Sequence, residues 1–482
     1  MSLVKKITVL TFGKGLNIIV NLLFLPYMAR VLSYEDYGSY GQVILVSAFV
    51  GAFLSFGLSQ IIYVYLSKEN NPKEVLFSNL FTLLVMGALG SIFMFGLSSY
   101  TASWFDNPQL SFLVKVFSIS LLFQLPFQSM VSYLIFVGKV KRTVSITIST
   151  NILKVVLVIG AIQLYNSVSL ALIAIVISYV FQLLYAYLSI KSDLSFSIDF
   201  KRCLNQLKDG FPLGLTALFG SGILYIDGLM VSSMEGVKSY AIYRNGAIEV
   251  PFISTLYASI AAIILPEVSK LYANQQFEEI VFLKKKVIMN TMMITYPILI
   301  FFLFNARDTI IIYLGEKYIS SAIIFAIFNL TLLIRINDYH DILIAANKSK
   351  IILYNYFIIF ILNAILNYAF ISLLGIAGAA IATVLSLLCF SILMFHSSAI
   401  SLKVKILDFI NLKDFFYLLI MSFTIGVIVK FLTIGIEYKL LRLIIFSLTY
   451  FPTIYLMIYK VGLITSDEIN SKIKKIFTFK RR

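Results

Sequence analysis

The chain has 482 residues, of which 60% are hydrophobic and only 13% charged, with a mean hydropathy of +0.93. Soluble domains run nearer ~45–50% apolar and ~25% charged, so a water-soluble fold is excluded. The net charge of +16 comes from 39 Lys and Arg against 23 Asp and Glu. In so apolar a chain that excess is read against the bilayer, and no nucleic-acid partner is expected.

The two cysteines, Cys203 and Cys389, make neither a disulfide framework nor a zinc motif, and the two histidines, His340 and His396, make no histidine centre. Neither a Walker-type phosphate loop nor HExxH occurs. No catalytic residue, metal site or cofactor is therefore expected, and the chain does not read as an enzyme. The N-terminal stretch is basic and then apolar, like a signal peptide. Lys14, Asn17 and Asn21 interrupt it and no small-residue cleavage site follows, which predicts a retained first helix.

Hydropathy divides the chain into fourteen spans, at about 7–31, 38–66, 75–103, 110–137, 143–164, 168–190, 209–233, 241–270, 287–313, 318–345, 350–373, 377–400, 413–433 and 440–461. A membrane helix needs about 20 mostly apolar residues, and barrel-type alternation is absent. The predicted fold class is an all-α integral membrane protein. The joins are short and polar, such as Lys68 to Glu74, and hold no soluble domain. Lys and Arg concentrate on the joins that share a side with the N-terminus, so both termini are predicted to be cytoplasmic.

Helix openings recur in the same order in both halves. Phe12-Gly13-Lys14-Gly15-Leu16 opens the first span and Phe211-Pro212-Leu213-Gly214-Leu215 the seventh. Ser39-Tyr40 is matched by Ser239-Tyr240, and Gly138-Lys139-Val140-Lys141 by Asn347-Lys348-Ser349-Lys350. Residues 1–200 and 201–402 are predicted as two six-helix lobes related as parallel repeats. Residues 403–482 add two helices and a basic amphipathic tail on the inner leaflet.

A charge at the bilayer centre costs about 2.5–3.5 kcal/mol on insertion scales, so intramembrane charges need a reason. The cations within spans are Lys14, Lys115, Lys154, Arg244, Arg335 and Lys430. Lys14, Asn17 and Asn21 share one helical face, as do Thr147, Asn151 and Lys154. Such stripes face either a hydrophilic cavity or a partner helix. The intramembrane acids are Asp227, Glu249, Asp338 and Asp341, candidates for coupling to H⁺ or Na⁺. Arg335 and Asp338, one turn apart, could instead neutralise each other. Asn363 and Asn367 share a face that would suit sugar hydroxyls or an ordinary helix contact.

The segment Ala29-Arg30-Val31-Leu32-Ser33-Tyr34-Glu35-Asp36-Tyr37-Gly38-Ser39-Tyr40 resembles the stretch after the first helix in polysaccharide flippases of the multidrug/oligosaccharidyl-lipid/polysaccharide exporter superfamily. Leu265-Pro266-Glu267-Val268-Ser269 and Leu374-Gly375-Ile376-Ala377-Gly378-Ala379-Ala380 resemble later parts of that pattern, so the likeness covers nearly the whole chain. One departure is Ser33, where the family often has glycine. The resemblance implies two lobes around an alternately opening cavity in a bacterial inner membrane. It also implies transfer of a polyprenyl-diphosphate-linked oligosaccharide, of O-antigen or capsule type, to the outer leaflet. Lys14, Lys154, Arg244 and Arg335 then become candidate diphosphate partners, with Arg30, Asn17, Asn21 and Asn151 beside them. Polysaccharide polymerases and glycosyltransferases are implied partners. A drug/cation antiporter of the same superfamily is the alternative, disfavoured by six intramembrane cations against four acids. A non-transporting scaffold for glycan assembly is the other.

Overall fold

The computed structural model describes residues 3–69, 71–337 and 340–463. Regular structure among them is helical, because a backbone in lipid must satisfy its own polar groups. In chain order the first helices are α1 (Leu3–Val31), α2 (Tyr34–Leu54), α3 (Leu58–Lys68), α4 (Pro72–Gly96), α5 (Ser98–Trp104), α6 (Gln109–Ser118) and α7 (Ser120–Phe136). They continue as α8 (Val140–Tyr165), α9 (Val168–Ile190), α10 (Phe200–Gly246), α11 (Ile253–Ala273) and α12 (Phe277–Leu314). Three short helices follow, α13 (Ser321–Asn329), α14 (Thr331–Ile334) and α15 (Asp341–Ala345). The last four are α16 (Ser349–Leu374), α17 (Ile376–Leu402), α18 (Leu412–Thr433) and α19 (Lys439–Lys460).

Among the described residues, eleven helical segments are long and apolar enough to cross a membrane, or thirteen if each of two bent pairs is one span. The pairs are α6 with α7, bent by 41°, and the two halves of α10, bent by 47°. The chain is a multi-pass membrane protein. Two predicted spans are interrupted. The eighth is broken between Gly246 and Ile253, where Pro251 has no N–H to offer a helix. The tenth is split into α13, α14 and α15 around the polar run that begins at Arg335. Such breaks at membrane depth are tolerated where protein, not lipid, surrounds them.

The helices group into two compact units, Met1–Ala247 with Ser349–Phe390, and Ile248–Lys348 with Ser391–Arg482. In the first unit, Ser33 caps α2 by accepting a hydrogen bond from the Asp36 N–H at 2.9 Å, with Glu35 and Asp36 in the first turn. The serine that departs from the family pattern is thus a good helix cap. Between α2 and α3 the chain passes through Gly57 at φ +66°, pressed against α10. A Cβ on Gly57 would stand 2.4 Å from the Gly210 carbonyl oxygen, and one on Gly214 would stand 2.6 Å from the Phe56 carbonyl carbon. The three glycines let backbone approach backbone, the small-residue device of membrane helix packing.

The second unit is held by aromatic contacts and buried ion pairs. Phe301 packs against Phe446 and Phe451, with centroids 5.6 and 5.3 Å away. Arg442 on α19 grips Asp308 on α12 through two hydrogen bonds of 2.8 and 2.7 Å. Lys284 on α12 meets Asp341 at the start of α15 at 2.5 Å, with both side chains buried.

Candidate functional site

Polar side chains gathered inside a membrane protein mark a function or a helix contact. Two such centres that hold charged groups lie among the described residues of the first unit.

The first is a cavity of about 240 Å³. Helix α1 supplies Asn21, Phe24, Leu25 and Met28, and α2 supplies Tyr37, Tyr40 and Ile44. Lys154 comes from α8, Ile175 and Tyr179 from α9, and Arg244 from the end of α10. The two polar stripes read from the sequence meet here. Asn151 donates to the side-chain oxygen of Asn17 at 2.6 Å, and Asn21 donates to the Asn17 backbone carbonyl at 2.9 Å. The middle of each stripe is therefore a helix contact, while Asn21 and Lys154 open onto the cavity. The Lys154 ammonium stands 5.9 Å from the centre of the Phe24 ring. The Arg244 guanidinium lies 5.2 Å from the Tyr37 ring centre and 5.3 Å from that of Tyr40. No carboxylate is among the lining residues. Two cations and several phenols around a cavity without an acid attract an anion and repel a cation.

The second centre surrounds Asp227, 1% exposed on α10. Its carboxylate accepts hydrogen bonds from Tyr243 at 3.1 Å, Asn363 at 3.3 Å and Asn367 at 2.7 Å, and a short one from Thr383. All four donors are neutral. The side-chain oxygens of Asn363 and Asn367 are buried with no hydrogen-bond partner. Amide orientation is assigned from the surroundings, and turning either amide would put its oxygen where its nitrogen now meets the carboxylate, an arrangement that requires a cation between the two oxygens. Carboxylate, amide and hydroxyl oxygens form a hard donor set that suits a small cation such as Na⁺ and not a thiophilic metal. Among the described residues no cluster of three or more His, Cys, Asp or Glu could hold a metal. The two centres are adjacent in sequence: Tyr243 reaches Asp227 and Arg244 reaches the cavity, both on the short helical stretch after the non-helical Gly236.

The remaining residues singled out from the sequence lie elsewhere. Arg30 sits exposed in the last turn of α1, and it is not among the cavity's lining residues. The side chain of Lys14, all of Asp338 and the amphipathic tail lie outside the described residues. Arg335 belongs to the second unit, where it pairs with Glu249 at 2.7 Å and stacks on Tyr257 at 4.9 Å. Asp341 pairs with Lys284, a lysine that hydropathy had placed outside the spans.

Several residues escaped the sequence reading. Tyr179 and Tyr243 look like ordinary apolar-face aromatics, and Thr383 sits in a small-residue stretch with no signal of its own. Tyr37 and Tyr40 stand within the family-like segment but carried no assigned role. The i, i+4 pair Asn363 and Asn367 was visible as a face, and only the fold shows that the face meets Asp227.

A model of the polysaccharide biosynthesis protein family matches residues 27–323. An uncharacterized membrane protein of Methanocaldococcus jannaschii is 24% identical, with 94% of this chain and 95% of the relative covered. Among solved structures, the lipid II flippase MurJ in an inward closed conformation superposes with a TM-score of 0.75 at 17% identity, over 94% of this chain and 99% of that one. An inward-facing multidrug resistance MATE transporter gives 0.65 at 16% identity, over 80% and 94%. A transporter from Pyrococcus furiosus, described by a reversed polarity of its binding pocket, gives 0.58 at 15%, over 83% and 96%. The chain belongs to the polysaccharide biosynthesis protein family and has the helical fold of the multidrug/oligosaccharidyl-lipid/polysaccharide exporter superfamily.

Proposed function

We propose that this protein is a flippase that moves a polyprenyl-diphosphate-linked oligosaccharide from the cytoplasmic to the outer leaflet of the plasma membrane by alternating access, with both termini in the cytoplasm. The observation that carries the reading is the placement of Lys154 and Arg244 on one cavity whose lining has no carboxylate. A diphosphate leaving water needs fixed positive charge. At an effective dielectric of about 20, a unit charge pair at ~4 Å is worth about 4 kcal/mol, so two cations offset a substantial part of the desolvation cost. At about 240 Å³, the cavity is smaller than the about 300–1,000 Å³ of sites for drug-sized ligands. It is sized for the diphosphate, while the glycan and prenyl chain lie outside it. The same polarity argues against a drug/cation antiporter, which would need acids at that position.

Asp227 with Asn363, Asn367 and Thr383 is the coupling site in this proposal, taking Na⁺ or H⁺. Because Tyr243 and Arg244 are neighbours, a change in what Asp227 holds is passed to the guanidinium through one peptide unit. The lobes at 1–200 and 201–402, with 403–482 appended, rest on the repeated helix openings. Lys14, on the helical face that carries Asn17 and Asn21, is a third candidate cation.

The test is transport of a fluorescent polyprenyl-diphosphate disaccharide in proteoliposomes. Lys154→Ala and Arg244→Ala should each abolish transport with insertion intact, and Lys154→Arg should keep part of it, since charge survives with different geometry. Full transport by both alanine variants would end the proposal.

A further inference from the structure

We propose that Tyr37 and Tyr40, with Gly38 and Gly41 beside them, form a clamp that presents Arg244 to the anion-binding cavity, making the start of α2 a positioning element for phosphate recognition. The clamp deepens the reading of that cavity given above and rests on it. A guanidinium on a long flexible stem binds an anion well only when held beforehand, because ordering it at the moment of binding is unfavourable. The fold supplies such a hold. The guanidinium stands within 5.2 and 5.3 Å of two ring centres, inside the about 6 Å at which a cation gains from a ring face.

The rings are themselves fixed. Tyr37 is 1% exposed and donates its hydroxyl to the Asn245 side-chain oxygen at 2.8 Å, beside the arginine it carries. Ser39, on another face of α2, accepts hydrogen bonds from Asn107 at 2.8 Å and Gln109 at 2.7 Å, and Gln42 accepts from Asn107 at 2.8 Å. These three bonds set the rotation of α2. The glycines supply the space. A Cβ on Gly41 would stand 2.7 Å from an Arg244 terminal nitrogen and 2.9 Å from the Tyr240 ring, and one on Gly38 would stand 2.5 Å from the Val237 carbonyl oxygen. Gly41 is therefore the notch through which the arginine passes. Gly38 lets the start of the helical stretch that carries it, at Val237, approach α2.

The test uses the purified full-length protein in detergent, with farnesyl diphosphate as the binding probe. Tyr37→Leu should weaken binding about tenfold, as loss of a desolvated ring contact implies, and Phe at the same position should restore most of what Leu loses. Tyr40→Leu and Gly41→Ala repeat the test should Tyr37→Leu fail to fold. In an Arg244→Gln background, Tyr37→Leu should cost nothing further. An equal loss in that background means that the tyrosine only supports the fold and overturns the clamp. Unchanged binding in the leucine variants, with Arg244→Gln still harmful, overturns the clamp and leaves the cavity reading standing.

A second readout does not depend on the substrate. Modification of Arg244 by phenylglyoxal, followed by mass spectrometry, should accelerate in Tyr37→Leu and not in Tyr37→Phe. If Arg244→Gln leaves probe binding unchanged, the cavity reading fails. The modification rates then decide the clamp alone: acceleration supports the hold on Arg244, and equal rates refute it.

Discussion

Removing one member of the Lys284–Asp341 pair should destabilise the protein far more than removing both. The ammonium and carboxylate are 2.5 Å apart and each side chain is 1% exposed, so water cannot rescue either charge. Asp341 also receives the Ile342 N–H at 2.8 Å, within the first turn of α15. Breaking a buried pair from one side costs about 3–5 kcal/mol, whereas replacing both members by apolar residues of similar volume is near neutral or stabilising. Asp341→Asn and Lys284→Met should each lower stability by that about 3–5 kcal/mol, and Lys284→Met/Asp341→Leu should return close to the starting value. Unfolding by SDS in mixed micelles, followed by circular dichroism, measures all four corners of the cycle. Single variants within about 0.5 kcal/mol of the parent, or a double variant as unstable as the singles, would refute the reasoning. The same double variant bears on coupling. With a lysine tethered to its carboxylate, Asp341 already holds a cation, so ion-dependent transport should survive in the double variant.

Asp227→Asn should remove any Na⁺ or pH dependence of transport in proteoliposomes, and an unchanged dependence would take Asp227 out of the coupling site. Tyr243→Phe, which keeps the ring and loses one hydrogen bond to Asp227, should shift the ion concentration at half-maximal transport; an unmoved midpoint would break the link between the two centres. Gly214→Ala places a Cβ 2.6 Å from the Phe56 carbonyl carbon, a backbone atom that cannot swing aside, so it should cost about 1–3 kcal/mol in the same SDS titration. Single cysteines at 139 and 285 should react with impermeant reagents only from the cytoplasmic side, and one at 106 only from outside. Labelling of 285 in intact cells would reverse the orientation. Lys285 is exposed, so a cysteine there is open to the reagent.

Composition and periodicity by themselves determined that this is a helical membrane protein, and they placed most spans within a few residues of where the helices lie. Lipid leaves a chain so little choice of structure that hydropathy is close to sufficient. The polar stripes of α1 and α8 were legible for the same reason, since a lysine on a membrane helix must find something other than lipid. Tertiary structure alone decided which partner each charge found. Arg244 and Lys154 share a cavity while Arg335 is paired with Glu249, and Asp341 is paired with Lys284 while Asp227 is ringed by neutral donors. Those partners are separated by up to 156 residues in the chain, and helical periodicity says which face a side chain is on but not what that face meets. The breaks at 247–252 and 335–337 were equally hidden, because unwinding a membrane helix depends on whether neighbouring protein can satisfy the freed backbone.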